Sequence, residues 1–341
     1  MKNTSSWIRL FSVTFCLMAV FCPVTIDASD FTIVILPDTQ RYTEAFPENF
    51  RAQTEWVVHN RVPKNIVFLA HVGDIVQTPT NMTQWKSADQ AMAVLDGDPG
   101  KNPDGLLPYA VALGNHDYDD PTCIVHDGAT RYIKFFGGSR YKGRSWYGGA
   151  SPDDHNHYQF FQGDGQTYLH IDLEWEAPDS SLQWAQGILD RYPDTPTLIT
   201  THYYLRLHLP PSNTTGHQRT AISEKGNPAV EIFQQLVRPN PQVFMVNGGH
   251  YSGETHQVST NAAGLPVFEM MADLSHLRPK GGNGWLRLIQ FKPDDNVIQV
   301  RTYSPVLDRF ETDADSQFSF HVNFADRLPK KVLGSEGSVQ E

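Results

Sequence analysis

The stretch IVFLAHVGD, Ile66 to Asp74, runs from apolar residues straight into a glycine and a carboxylate. Ile66 to Ala70 are all apolar, with two β-branched side chains, which predicts a strand buried on both faces as in a parallel sheet. The same pattern recurs on either side. FTIVIL, Phe31 to Leu36, is a second such strand, followed by Pro37-Asp38-Thr39-Gln40. YAVALGNHD, Tyr109 to Asp117, is a third, and it stops at Gly114. Between the first two lies FRAQTEWVVHNRV, Phe50 to Val62, with helical spacing. A further helix is expected from Asn81 to Leu95, with Gln84 as the capping-box partner of Asn81. Strand, helix, strand, helix, strand implies βαβ crossovers and a mainly parallel sheet.

The order then changes. Thr130 to Phe136 predicts a short helix and Gly137 to Asp154 a glycine-rich loop. HYQFFQ and QTYLHIDL flank Gly163-Asp164-Gly165 as a hairpin. A helix from Asp179 leads to the strand TLITTH, ending at His202. Glu224 to Val237 reads as a helix, and QVFMVNGGH as a strand running into glycines. HQVST, PVFEMMAD, WLRLIQF and VIQVRTYS are short strands joined by turns, an antiparallel order. Two packed sheets in one domain, residues 29–326, account for both halves; residues 327–341 read as a polar tail.

The net charge of −11 over 341 residues argues against a general nucleic-acid binder. Lys2 and Arg9, then FSVTFCLMAVFCPV, then small residues near Ala28, read as a cleaved signal peptide over residues 1–28. A secreted or periplasmic protein with no membrane span after cleavage is therefore expected. Cys16 and Cys22 would leave with the leader, so Cys123 would have no partner for an internal disulfide. Asn81-Met82-Thr83 and Asn213-Thr214-Thr215 fit the glycosylation pattern.

The chemistry gathers where strands end. Asp38 and Gln40 follow the first strand, Asp74 the second, and Asn115, His116 and Asp117 the third. His202 and His250 close two later ones. Ligand sites in open α/β sheets lie beyond the carboxyl ends of strands, so these side chains would meet on one patch. Oxygen and imidazole donors suit Mn, Fe, Zn or similar ions better than a thiolate site would. Singly, each residue reads equally well as a cap, a turn or a core histidine; the ordered set is the signal. No HExxH or GxSxG pattern competes with it.

DTQ, GDIV, GNHD, TTHY and GGHYSGE together resemble the five blocks of the calcineurin-like metallophosphoesterases, in the family's order. SSLQWAQGILDRYPDTPTLITTHYYL and GWLRLIQFKPDDNVIQVRTYSP resemble its secreted bacterial branch with DTQ in the first block, so the resemblance runs from Phe31 to Asn323. It implies a four-layer α/β/β/α sandwich of two mixed sheets with two divalent metal ions between them, drawn from Mn, Fe, Zn or Mg. Asp38 would hold the first metal, Asp74 would bridge both, and Asn115, His202 and His250 would hold the second. His116 would face the leaving group, oriented by Asp117. Two positions depart from the family: Gln40 and Ser252 stand where it has histidines, both at the first metal. Gln40 remains a neutral oxygen donor and Ser252 a poor one, which favours a hard ion such as Mg, Mn or Ca there. His256 is a lesser substitute for the missing histidine.

The expected activity is an exported metal-dependent phosphoesterase acting on small phosphomonoesters or phosphodiesters. Metal-activated water would attack while His116 assists the leaving group. A weak first metal would raise the pH optimum. Arg140, Lys142, Arg144 and Arg206 read as phosphate contacts or solvated loop residues, and Asn156 as a substrate contact. Trp146, Tyr147, Tyr203 and Tyr204 read as pocket walls or packing. The competing reading is a non-catalytic or single-metal module that binds phosphate or glycan. The oligomeric state stays open.

Overall fold

The computed structural model describes residues 30–123, 128–207, 217–220, 226–276 and 279–327. The expected leader, the Asn213 sequon and nearly all of the tail lie outside them.

Phe31–Leu36 (β1) is buried at all 6 positions because it has a core on each face. Phe31, Ile33 and Ile35 enter one cluster, while Val34 and Leu36 enter another. Gln40–Ala45 (α1) and Pro47–Asn60 (α2) lead to Ile66–His71 (β2), then Met82–Met92 (α3) and Tyr109–Val111 (β3). Thr130–Phe136 (α4) and Gly138–Tyr141 (α5) precede Tyr147–Ala150 (β4), His157–Gly163 (β5) and Gln166–Leu173 (β6). Asp179–Arg191 (α6) and Thr197–Thr201 (β7) follow, then a ribbon of Leu205–Leu207 (β8) and His217–Arg219 (β9). Ala229–Ile232 (α7) leads into Val243–Gly248 (β10), Gly253–Thr260 (β11) and Pro266–Asp273 (β12). Leu286–Lys292 (β13), Val297–Ser304 (β14), Arg309–Phe310 (β15) and Gln317–His321 (β16) complete the described strands.

One sheet runs β15-β14-β13-β1-β2-β3, with β16 on β14; the other runs β11-β12-β10-β7-β6-β5-β4. Both are mixed, as expected. β1, β2 and β3 are parallel, with β13 antiparallel to β1. β6, β7, β10 and β12 are parallel, flanked by antiparallel β5 and β11. Phe68 of β2 stacks on Phe161 of β5 at 4.8 Å between centroids, fastening sheet to sheet. A fully buried ring of this kind contributes roughly 1.5–3 kcal/mol. Outside the sheets, Phe50 and Val57 of α2 and Trp85 of α3 cover the first, and Leu182, Ala185 and Leu189 of α6 cover the second. The result is the four-layer sandwich.

Local details differ from expectation. Asn81 caps α3 by accepting the Thr83 amide, but Gln84 does not close a capping box. Its Oε1 instead accepts the amides of Gln77 and Thr78 at 2.9 and 2.8 Å, bracing the loop that follows Asp74. The glycine-rich stretch Gly137 to Asp154 is not all loop: it contains α5 and the edge strand β4. Two arginines explain this, since Arg140 pairs with Asp89 and Asp96 and Arg144 with Asp96, pinning the stretch to its neighbours.

Candidate metal centre

The parallel strands deliver their last residues to one end of the sandwich. After β2 the chain turns through Gly73 (φ 103°) and Asp74 (φ 54°). A Cβ on Gly73 would lie 2.9 Å from the Gly114 backbone, and one on Gly114 would lie 2.1 Å from the Asp74 nitrogen. The Gly-Asp and Gly-Asn pairs thus permit backbone contact between two loops. After β10, Gly249 passes so near Asp38 that a Cβ would lie 2.1 Å from its Oδ1, and His250 takes φ 72°. Such a conformation is strained for a side-chain-bearing residue and persists only where its surroundings enforce it.

The expected ligands meet here. His202 Nε2 lies 3.2 Å from Asp74 Oδ1, 3.9 Å from Asp38 Oδ2 and 3.1 Å from Asn115 Oδ1. His250 Nδ1 lies 3.0 Å from Asn115 Oδ1 and 3.2 Å from His202 Nε2. The Asp38 carboxylate accepts the His250 amide, and Gln40 Nε2 donates to Asp74 Oδ2 at 3.3 Å. The His116 amide donates to Asp74 Oδ1 at 2.9 Å, and its ring Nδ1 lies 2.8 Å from the Gln77 carbonyl.

Burial and charge oppose each other at Asp74 and His116 and act together at Asp38 and His250. Burial favours a neutral Asp74, yet the His202 and His116 charges hold it well below the usual carboxylate range. Burial, then the charges of Asp273 and Asp74, pushes Asp38 well above that range. Burial works against a charged His116, but Asp74 and hydrogen bonds to Cys123 and Gln77 outweigh it and push the ring up to about 10. Burial, then His202, pushes His250 down to about 3.

The donors fit divalent cations. His202 Nδ1 faces the Val72 carbonyl at 3.0 Å; a carbonyl only accepts, so Nδ1 carries a proton and Nε2 is left as a lone-pair donor in the neutral ring. That lone pair and His250 Nδ1 gather beside the Asp74 carboxylate, and Asn115 Oδ1 lies 3.1 and 3.0 Å from the two nitrogens. The ligand atoms of Asp74, His202 and His250 all lie within 4.8 Å of one another. Gln40 Oε1 is buried with no hydrogen-bond partner, although Gln40 is only 2% exposed. Clustered acceptors and an unpartnered amide oxygen are what a cation would satisfy.

Several expectations need correcting. Asp117 was expected to orient His116. Its carboxylate instead accepts the amides of Ile75 and Val76 through Oδ1 and of Gly114 through Oδ2, and the Gln77 carbonyl holds the His116 ring. Asp117 therefore fixes the loops that carry Asp74 and Asn115. His256 is no substitute ligand: it pairs with Asp315 and stacks on Phe318. Arg140 and Arg144 are engaged with aspartates. Asn156 is fully buried, donating to Ser151, Glu174 and Ser181. Trp146 lines a cavity of about 590 Å³ with Ile66 and Pro108, at the amino ends of β2 and β3 and so away from the ligands. Tyr204 is core, whereas Tyr203 packs edge-on against the His250 ring at 5.0 Å and its hydroxyl lies 3.1 Å from that of Tyr251.

The sequence reading missed three contributors. His71, buried at the end of β2, bridges Thr39 and the Gly73 amide. Gln77 positions His116. Asp273 ends β12 beside β10. Their shared signal is a polar residue closing or following an apolar strand, which is visible but weak in one sequence.

A profile of the calcineurin-like phosphoesterases matches residues 31–250. The chain belongs to the calcineurin-like phosphoesterase family. The chain is 34% identical over 314 residues to the uncharacterised protein YvnB of Bacillus subtilis (strain 168), a match covering 88% of this chain and 22% of YvnB. In structure it resembles the purple acid phosphatase PPD1 from yellow lupin (Lupinus luteus) seeds, with a TM-score of 0.52 at 12% identity over 91% of this chain and 58% of that one. The chain thus spans about a fifth of the curated relative it matches and somewhat over half of PPD1. The second likeness concerns the fold alone. Metal-dependent hydrolysis of phosphoric esters is the family's chemistry, and this chain carries donors suited to divalent metal. Among the described residues, no helix is long and apolar enough to cross a membrane.

Proposed function

We propose that this chain hydrolyses small phosphomonoesters or phosphodiesters with two divalent cations held by Asp38, Gln40, Asp74, Asn115, His202 and His250. One observation carries the reading. The Asp74 carboxylate lies beside both the His202 ring and the main chain of His116, joining a ligand cluster to an ionisable group that is not part of it. Bound divalent cations supply Lewis-acid polarisation of phosphoryl oxygens and acidify water.

The chain's own residues supply the rest. The Gln77 carbonyl accepts from His116 Nδ1, and the Asp74 charge favours the protonated ring. His116 is thereby kept as a proton donor for the leaving oxygen. Asp117 holds the loops on either side in register. Tyr203 and Tyr251 wall the His250 side.

The Gln40 and Ser252 departures favour a second reading, a single-metal phosphate-binding or glycan-binding module. Turnover separates the two. The Mn-loaded protein should hydrolyse p-nitrophenyl phosphate or bis-p-nitrophenyl phosphate, lose activity in EDTA, and lose it in His116→Ala without losing metal. Absence of turnover on every ester tried would leave the binding module. Export is part of the proposal and rests on the reading of residues 1–28 alone; N-terminal sequencing of the protein made in its host tests it.

A further inference from the structure

The first sheet carries a polar row at the end away from the ligands. Thr32 lies near the start of β1 and Lys64 just before β2, whereas Asp38 and Asp74 follow the ends of those strands. Val34 of β1 stands opposite Leu288 of β13, and both enter the core under α2. One step along the same face, Thr32 stands opposite Gln290, and Gln290 opposite Gln299 of β14. α2 ends at Asn60, and the chain returns beside this row through Pro63 and Lys64. Thr32, only 5% exposed, fixes that return by donating its hydroxyl to the Lys64 carbonyl at 3.0 Å.

Thr32, Gln290 and Gln299 line a cavity of about 200 Å³ together with Lys64 and with Arg301, which stands opposite Leu288. Among the described residues no carboxylate lines it, and neither Lys64 nor Arg301 has an ion-pair partner. Asp30, which accepts from Gln290 Nε2 at 3.1 Å, has its charge met by Lys292 Nζ at 3.5 Å. Each free cation is steadied by a ring: Lys64 Nζ lies 5.9 Å from the Trp56 centroid, and Arg301 Cζ 4.5 Å from that of Phe310. In a chain with 38 acidic and 27 basic side chains, carboxylates are in excess. Two cations that line one small polar cavity without any carboxylate mark a place for an anion. The guanidinium fork matches two oxygens of a phosphate or sulfate, and the ammonium adds a point charge. The volume lies below the roughly 300–1,000 Å³ of pockets for drug-sized ligands, which selects a small ion over a nucleotide.

We propose that this cavity binds a small tetrahedral oxyanion, inorganic phosphate or sulfate, at a site separate from the metal centre. It shares no residue with that centre, so it stands or falls independently of the phosphoesterase reading.

The test is thermal melting of the full chain in EDTA, titrated with phosphate, sulfate or chloride at matched ionic strength. EDTA removes metal-held phosphate from the readout. The parent's melting temperature should rise and saturate with phosphate, and should not do so with chloride. Arg301→Gln should weaken the apparent phosphate affinity about tenfold or more. Lys64→Gln, on an exposed loop, should weaken it less, and it decides the question alone should the arginine variant not fold. Both should melt near the parent without anion and take up Mn as the parent does. A saturating response to phosphate and sulfate alike assigns the cavity to oxyanions of that shape, and a response to phosphate alone assigns it to phosphate; either supports the site. A rise without saturation, shared by the parent and both variants, is the general effect of excluded salt and overturns it. A saturating rise that appears only with Mn would put the phosphate at the ligand cluster and overturns it as well.

Discussion

The Asp74 carboxylate accepts the main-chain amide of His116 at 2.9 Å. The residue that stands beside His202 therefore also sets the position of His116, the proposed proton donor. Replacing His116 by Ala removes the ring and leaves that amide in place. The expected result is a fall in kcat of about 10²–10⁴-fold with metal content unchanged. The loss should be greater for esters of poor leaving groups than for p-nitrophenyl esters. An equal loss on both would place His116 outside leaving-group protonation.

Gly249 passes close to Asp38 at the end of β10, and a Cβ there would lie 2.1 Å from Asp38 Oδ1 and 2.6 Å from Val72 Cγ2. Gly249→Ala should displace Asp38 and weaken metal binding. The parent should gain stability with Mn, about 2.7 kcal/mol at a free concentration of 100 times Kd. The variant should show little of this gain while its melting temperature in EDTA stays near the parent's. Thermal melts with and without Mn check it; an undiminished gain counts against the close approach.

Outside the cluster of Asp74, His202 and His250, His155 Nδ1 lies 3.1 Å from Glu174 Oε2. Burial opposes ionisation of Glu174, but its hydrogen bonds with His155, Ser181 and Tyr118 hold it at about 2, against an ordinary 4.5. Burial likewise opposes a charged His155, and Glu174 outweighs it, raising the ring above its ordinary 6.5. The depressed acid stabilises the fold above 4.5 and loses that effect as the pH falls. The raised base stabilises it below 6.5 and loses that effect as the pH rises through its folded value. Both act fully between about pH 4.5 and 6.5. His155→Gln should lower the melting temperature most in that window, with a deficit that narrows as the pH rises. A deficit independent of pH would mean that the pair is not ionic.

Phe68 is fully buried between the sheets, stacked on Phe161 and 4.8 Å from the His170 ring. Phe68→Ala should cost about 3–5 kcal/mol, and Phe68→Leu far less. Denaturant unfolding in EDTA, which removes any contribution from metal, measures both. A cost below 1 kcal/mol for alanine, well under the range for such cavities, would argue against a tightly packed inter-sheet layer.

What was legible depended on how local the cause was. β1 and β2 announce themselves because a strand with a core on each face needs apolar residues at successive positions. The hairpin at Asp164 was legible for the same reason, since its turn residues set their own backbone. Gln84 was misjudged because its side chain could serve its own helix or the loop before it, and the loop amides of Gln77 and Thr78 prevailed. Arg140 and Arg144 looked available for phosphate because their partners Asp89 and Asp96 lie more than forty residues earlier. Asp117 shows the same limit, as its three amide donors come from two loops.

The sequence by itself determined the alternation of buried strands and helices and the polar residues that end Phe31–Leu36, Ile66–His71, Thr197–Thr201 and Val243–Gly248. These follow from periodicity and side-chain chemistry, which act over a few residues. The tertiary structure alone decided which of those residues converge and what each one touches. It placed Asp117 under the loops, moved the Arg140 cluster away from the ligands, and set Met271 opposite Gly248 through strand register. Register between distant strands is set by packing two sheets against each other, and no local stretch of chain carries that information.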